Sequence, residues 1–251
     1  MNGKVPVSVA IVTKNEERNI RKALQSVRNF AEIVVIDSFS EDKTLSICRE
    51  YTDRVYQQEW KGFARQKQDA IDRCSGEWIL LLDADECVTP ELKEEIISCI
   101  TRTDIIAYQL PRKNFFLGRW IRHSGWFPDY IIRLFRKDSG GIEHREVHEK
   151  IVVNGSVGIC TGYLEHYTYH TLSDYVRKME LYSTLSAKEM VNAGKRASVS
   201  SLVFSPLVVF IKMLVLKQGF RDGRHGFLLA VLYAMQSFLK YAKARELQGG
   251  V

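Results

Sequence analysis

The hydrophobic pattern of the first ninety residues alternates between two textures. Residues 5–12 (VPVSVAIV), 32–36 (EIVVI) and 78–82 (WILLL) are short, nearly continuous apolar runs, the pattern of strands covered on both faces. Between the first two, NEERNIRKALQSVRNF places Ile20, Ala23, Leu24 and Val27 at i, i+3, i+4 and i+7, which predicts a helix with one buried stripe. EDKTLSICREY predicts a second helix, RVYQQ a third short strand and FARQKQDAIDRC a third helix. Strands alternating with helices predict an α/β fold, a mostly parallel sheet wound by right-handed crossovers with helices on both faces.

Thr89 and Pro90 have the character of an N-cap and first-turn proline for ELKEEIISCI. From about Asp104 the texture changes. IIAYQLPRKNFF, YIIRLFRK and HEKIVV predict strands separated by Gly and Pro turns, an antiparallel addition to a mixed sheet. TLSD is a capping sequence that opens an amphipathic helix to about Val191. Two apolar stretches, SLVFSPLVVFIKMLVL and GFLLAVLYAMQSFLKYAK, follow. The expected organisation is an α/β domain over residues 1–170, with halves at 1–100 and 101–170, and a helical C-terminal extension over 171–251.

A length of 251 residues with 45% hydrophobic and 26% charged positions suits a globular protein with a sizeable core and excludes disordered or collagen-like classes. The five cysteines are odd in number, widely spaced and form no C-x-x-C pair, which argues against a disulfide framework or zinc cluster and for a reducing cytosol. VPVSVAIV runs at once into TKNEER, too short and too charged behind for a signal peptide. The net charge of +6 is uneven: residues 195–251 hold nine Lys/Arg against two Asp/Glu. No interleaving of basic and aromatic residues suggests a nucleic-acid partner. The run Leu202–Leu216 is shorter than the ~20 apolar residues a spanning helix needs, and it contains Pro206 and Lys212. The expectation is therefore a cytoplasmic protein lying peripherally on the inner face of the cytoplasmic membrane. The alternative is a helical subdomain packed on the sheet or on a second copy in a homo-oligomer.

In open α/β sheets ligands bind beyond the carboxyl ends of the strands. Three strands end in suitable groups: Thr13, Asn15 and Glu16; Asp37, Ser38 and Ser40; Asp83 and Asp85. Two carboxylates one residue apart at a buried strand end raise one another's pKa, and a divalent cation removes the conflict. Oxygen ligands suit Mg²⁺ or Mn²⁺, ions that borrow further oxygens from a bound phosphate, so D-A-D implies a diphosphate-bearing ligand. A solvated turn ahead of TPEL is the alternative. Glu86 is expected in that following turn.

The motifs VTKNEE, VIDSFSEDKT and QKQDAIDRCSGEWILLLDADE, in that order over residues 7–90, resemble those of inverting GT-A glycosyltransferases of family 2. RLFRK, VHEKI and GFRDGRHGF...FLKYAK resemble the narrower subgroup of lipopolysaccharide inner-core β-1,4-glucosyltransferases. The resemblance implies a GT-A fold, a nucleotide-sugar donor (UDP-glucose), a glycan or lipid-linked acceptor such as a core heptose, and Mg²⁺ or Mn²⁺. It makes residues 1–100 the nucleotide-sugar half and 101–170 the acceptor half. Thr13, Asn15, Glu16, Asp37, Lys67, Asp83 and Ala84 would form the donor site, with Asp37 on uracil. Asp85, Asp83 and His166 would form the metal set, His166 having a hydrogen-bonded structural role as its alternative. Three positions depart from the family: Ser38 replaces an Asp, Lys67 an Arg and Gln68 an Asn. Lysine keeps the charge and loses the planar fork.

Inverting transfer needs a group to take the acceptor's proton. Many family members supply it from E-D-x-D-L-x-x-R; here the aligned piece is WFPDYIIR, so Asp129 matches the last acid while Trp126 and Phe127 replace the E-D pair. EHREVHEK offers Glu143, Glu146 and Glu149; as a strand it sets Glu149 on one face with Val147 and Ile151, surroundings that raise a carboxyl pKa. Glu149 is the expected base and Asp129 its companion, a solvated edge charge being the alternative for Glu149. Arg133 and Arg136 are expected as solvated strand charges, with a phosphorylated acceptor as the other possibility. H-R-E-V-H matches neither metalloprotease motif. An aspartate-nucleophile phosphatase would carry Thr or Val where Cys87 stands. A membrane-bound assembly protein on a degenerate transferase fold is the non-catalytic rival.

Overall fold

The computed structural model describes residues 3–143 and 150–249. The chain forms two compact units, Met1–Lys113 with Asp129–Tyr167, and Asn114–Pro128 with Thr168–Val251. Residues 114–128 thus belong with the helical extension rather than with the α/β unit.

In the first unit the chain runs β1 (Val5–Thr13), α1 (Ile20–Ser26), β2 (Phe30–Asp37), α2 (Thr44–Arg49), β3 (Val55–Gln57), α3 (Phe63–Arg73), β4 (Trp78–Asp83), β5 (Glu86–Val88) and α4 (Pro90–Cys99). β6 (Ala107–Phe116) crosses the boundary between the units, and β7 (Arg119–Trp120) belongs to the second; β8 (Tyr130–Arg136), β9 (Gly140–Glu143), β10 (Lys150–Val153), β11 (Val157–Ile159) and β12 (Leu164–Tyr169) follow. The strand order β3-β2-β1-β4 is parallel throughout, and β8 then β6 extend it antiparallel. β12 pairs antiparallel with β5, and β9 with β10 form a separate ribbon.

The continuous apolar runs are explained by burial on both faces. Val9, Ile11, Val35, Leu80 and Leu82 pack with Ile20 and Leu24 of α1 and Leu92 and Ile96 of α4. Their alternates Ala10, Val34, Ile36, Ile79 and Leu81 pack with Ala70 and Ile71 of α3 on the opposite face. This alternation follows from the two-residue period of a strand. Thr89 caps α4 as its sequence predicts, its hydroxyl accepting from Leu92 N at 3.3 Å with Pro90 in the first turn. α1 is shorter than the periodicity suggests, because residues 15–17 bond to the loop after β2 instead of continuing a helix.

In the second unit, β7 pairs with Phe115 and Phe116. α5 (Leu172–Asn192) opens on the predicted capping box, Thr171 with Asp174. α6 (Val199–Ile211) starts at Ser198, whose hydroxyl accepts from Ser201 N at 3.1 Å, and continues through a π-helical turn over Lys212–Leu216. The helical apolar segment is therefore Val199–Leu216, 18 residues, long and apolar enough by those measures to cross a membrane, where the sequence pattern suggested a shorter one. α7 (Arg224–Leu247) completes the unit. Its core contains Phe116, Ile121, Tyr175, Met179, Leu229 and Leu232. A Cβ at Gly226 would overlap the carbonyl of Gly219, so this glycine permits a close backbone approach. Buried Asp222 accepts from Arg122 N (3.2 Å) and His123 N (2.8 Å).

Candidate active site

Strand register brings the sequence-predicted groups to one edge. Thr13 pairs with Asp37 across β1 and β2, and Val12 with Asp83 across β1 and β4, so these three strands finish flush. The loops leaving β1 and β2 are laced together: Asn15 N donates to Ser40 Oγ (2.8 Å), Glu41 N to Asn15 Oδ1 (2.8 Å) and Glu16 N to Thr44 Oγ1 (2.8 Å). Asn15 adopts the left-handed region at φ 54°, which asparagine tolerates better than most residues. The Glu16 carboxylate accepts from Asn19 Nδ2 at 2.8 Å.

Asp37 is fully buried and accepts from Ser40 N (3.0 Å), Ser40 Oγ (2.5 Å) and Gln57 Nε2 (3.2 Å). Beside it Thr13 is buried with Oγ1 lacking a partner among the described residues. A buried hydroxyl left unpaired is costly, and at a strand end it marks where a ligand polar group would be met. Two of the family departures have local roles: Ser38 accepts from fully buried Gln66 (2.7 Å), and Gln68 accepts from Ile142 N (3.2 Å).

Asp83 lies in a network of buried charge. Lys67 Nζ is 2.9 Å from one oxygen, and Arg133 Nη2 donates to the other. Arg133 Nη2 also reaches Glu86 Oε1 at 2.9 Å, and Arg112 Nη1 meets the same atom at 3.2 Å. Glu86 Oε2 accepts from Asp83 N at 3.1 Å. Burial alone would push the Asp83 carboxyl up, but the charges of Arg133 and Lys67 hold it well below the usual carboxylate range. Burial likewise opposes the Arg133 charge, and Asp83 and Glu86 override it, so its pKa lies above the ordinary guanidinium value.

Two expectations are corrected here. Glu86 is not a turn residue but the first residue of β5, with no solvent exposure. Arg133 is not a solvated strand charge; it is 6% exposed, on β8 beside β4, with its guanidinium on the first Asp of D-A-D. The sequence signal for both was a buried-strand context: three acids within four positions demand cations, and Arg133 sits in an apolar run.

Asp85 follows buried Ala84, whose methyl joins the core. The Asp85 carboxylate lies 3.4 Å from His166 Nε2, and its carbonyl accepts from Tyr167 N at 2.9 Å. β12 delivers His166, opposite Glu86 in the ladder. Burial would lower the His166 pKa, and Asp85 raises it past the ordinary value. Both side chains are about one-seventh exposed, at 15% and 14%. One carboxylate oxygen and one imidazole nitrogen at this separation are a donor set that fits Mn²⁺ or Mg²⁺, whose adjacent ligands in an octahedron lie about 3 Å apart. Asp83 stands next to this pair in sequence with its oxygens on Lys67 and Arg133.

Asp129 is paired with Arg112, Oδ2 lying 2.7 Å from Nη2 and 2.9 Å from Nε. Glu149 lies outside the described residues, as do His144, Glu146 and His148. Glu143 ends β9, where it pairs with Lys150 in the ladder.

Residues 8–163 match the family model Glycosyl transferase family 2. The chain is 33% identical over 253 residues to LpsC, a lipopolysaccharide core biosynthesis glycosyltransferase of Rhizobium meliloti (strain 1021), covering 96% of this chain and 92% of the relative. It is 31% identical over 256 residues to the uncharacterized glycosyltransferase RT0209 of Rickettsia typhi, covering 96% and 87%. Among solved structures, S. aureus TarS 1-349 in complex with UDP aligns over 97% of this chain and 91% of that one, at 17% identity and a TM-score of 0.49. The parallel β3-β2-β1-β4 run extended by antiparallel β8 and β6, with helices on both faces, is the GT-A arrangement that the motif resemblance implied. By a family match over more than half its length, and by relatives of similar length above 30% identity, the chain belongs to glycosyl transferase family 2.

Proposed function

We propose that the protein is a metal-dependent, inverting glycosyltransferase that moves glucose from UDP-glucose to a lipopolysaccharide-core acceptor, with a heptose hydroxyl as nucleophile. The observation that carries this reading is the flush edge at which Thr13, Asp37, Asp83 and Asp85 end neighbouring strands and turns. The name of LpsC supports the choice of acceptor class. Asp85 and His166 would hold the divalent cation, with Asp83 beside them. When bound, such an ion offsets the charge that develops on a departing nucleoside diphosphate.

The chain's own residues divide the remaining work. Thr13 Oγ1, buried and unpaired, is the hydroxyl offered to the nucleotide. The laced loops carrying Asn15, Glu16 and Asp37 form the rim against base and ribose, and Asp37, held by Ser40 and Gln57, fixes that rim. Lys67 and Arg133 keep Asp83 ionised and add positive charge at the edge where a diphosphate would lie. Glu149 remains the proton acceptor proposed from sequence. Asp129, paired with Arg112, positions that guanidinium on Glu86.

A screen of nucleotide sugars for metal-dependent hydrolysis tests the donor end, with Asp85→Ala as control. Turnover of UDP-glucose that vanishes in Asp85→Ala and in chelator is the expected result. Failure of every nucleotide sugar to bind or turn over would overturn the reading. NMR of a product formed on a truncated core acceptor reports the anomeric outcome, and retention of the donor's α configuration would refute inversion.

A further inference from the structure

Helix α6 leaves much of its apolar surface exposed. Its small polar side chains Ser201 and Ser205 line a groove of about 640 Å³ together with its own Phe204 and Val208 and with Ser237 and Lys240 of α7. Only part of its apolar surface is packed: Phe210 meets Phe227 and, in the π-helical turn, Met213 is buried, whereas Val203, Phe204, Leu207, Val208 and Ile211 are each more than half exposed. A helix on a water-facing surface turns such side chains inward and polar ones outward. The spacing 203, 204, 207, 208, 211 is one continuous helical stripe, and Val215 and Leu216 extend it at 54% and 72% exposure.

Charge separates the candidate occupants. From Val199 to Arg221 the chain holds no acidic residue, while Lys212 beside the apolar ridge and Lys217 and Arg221 beyond its end are exposed cations. The next acid, Asp222, is buried and committed to backbone amides. An apolar ridge ending in cations and free of carboxylates matches hydrocarbon bordered by phosphate. A second copy would bring the same cations against themselves in any arrangement that pairs like ends.

We propose that α6 and the turn after it lie in the plane of an anionic phospholipid leaflet, with the ridge among the acyl chains and Lys212, Lys217 and Arg221 at the headgroups. The orientation follows from packing. At 1.5 Å per residue the segment Val199–Leu216 measures about 27 Å, close to a ~30 Å hydrocarbon core. It nonetheless packs along α7, whose Lys240, Lys243 and Arg245 cannot accompany it across, so it lies flat instead of spanning. The inference is independent of which sugar the enzyme transfers.

Flotation of the full chain with phosphatidylcholine vesicles, and with vesicles also containing phosphatidylglycerol, tests it. Recovery with the anionic vesicles should exceed that with the neutral ones by about tenfold or more, given a contribution on the order of fivefold for each cation near the surface, and should fall with salt. Val203→Ser/Leu207→Ser/Ile211→Ser and Lys217→Glu/Arg221→Glu should each lower recovery by about tenfold or more. Both variants should keep the wild-type circular dichroism spectrum and donor hydrolysis, separating lost docking from lost folding. Equal recovery with neutral and anionic vesicles, or recovery with neither, overturns the proposal. So does a concentration-dependent dimer that the serine variant abolishes while vesicle recovery is unchanged.

Discussion

Replacing Glu86 by Gln tests whether the buried charge network holds the first unit together. The substitution keeps the shape and one acceptor oxygen but removes a charge from a group with no solvent exposure. The network holds three carboxylates (Asp83, Glu86, Asp129) against three cations (Lys67, Arg112, Arg133), so the variant leaves one cation uncompensated. Removing one partner of a buried pair costs roughly 3–5 kcal/mol, and the retained hydrogen bonds reduce that to about 3 kcal/mol here. At ~2–4 °C per kcal/mol for a chain of this size, the melting midpoint should fall by about 6–12 °C. Glu94→Gln is the control. Its carboxylate is 71% exposed and 3.6 Å from Lys93, so its effect should stay within ~0.5 kcal/mol. Adding Arg112→Met to Glu86→Gln removes the surplus cation and should recover part of the loss, a coupling of about 1–2 kcal/mol in a double-mutant cycle. Scanning calorimetry with parallel urea titration reads five proteins: the wild type, Glu86→Gln, Arg112→Met, their double variant and the Glu94→Gln control. A drop below about 2 °C for Glu86→Gln, or strict additivity with Arg112→Met, would refute the network's role.

Thr13→Val should separate stability from function by sign: it removes an unpaired buried hydroxyl, raising stability of the unliganded chain by about 1 kcal/mol, and it weakens UDP binding in calorimetry. If UDP affinity is unchanged, Thr13 does not meet the nucleotide. Gly226→Ala forces α7 away from the Gly219 carbonyl and should destabilise the second unit by more than ~2 kcal/mol, read as lost helical signal at intermediate urea. Thr171→Ala removes the α5 capping box and should cost about 1 kcal/mol while leaving donor hydrolysis unchanged. Burial pushes the Cys48 and Cys74 thiols up to about 12, so both stay protonated below that pH. Iodoacetamide at pH 8 should therefore leave both unlabelled in the native chain and label both in urea, as mass spectrometry of the peptides would show.

What was legible in the sequence was what repeats along the chain. Apolar runs at 5–12, 32–36 and 78–82 are strands because both faces are covered, and Thr89-Pro90 and Thr171-Asp174 cap helices through bonds within four residues. The gathering of Thr13, Asp37 and Asp83 was legible only through topology, since parallel neighbours with aligned registers must end together. What escaped was set by partners distant in sequence. Glu86 reads as a loop acid until Arg112 and Arg133 arrive from β6 and β8, 26 and 47 positions later. The pairing of Asp129 with Arg112, 17 positions upstream, is likewise one that no spacing rule announces. The α6 segment exceeds the apolar run Leu202–Leu216 because the Ser198 cap starts the helix at Val199, three residues earlier, on serines that hydropathy alone does not assign to it.

The cross-bonded loops after β1 and β2 have a thermodynamic consequence. The backbone amides of Asn15, Glu16, Glu17, Glu41 and Lys43 are each held by a side chain of the opposite loop. Fixing a residue's backbone costs roughly 1–2 kcal/mol of conformational entropy, and here that cost falls on folding rather than on ligand capture. Cutting one tie, as in Glu17→Ala, which frees the Lys43 amide, would return part of it to the binding step. The variant's nucleotide affinity would then fall through a less favourable entropy, with the binding enthalpy little changed.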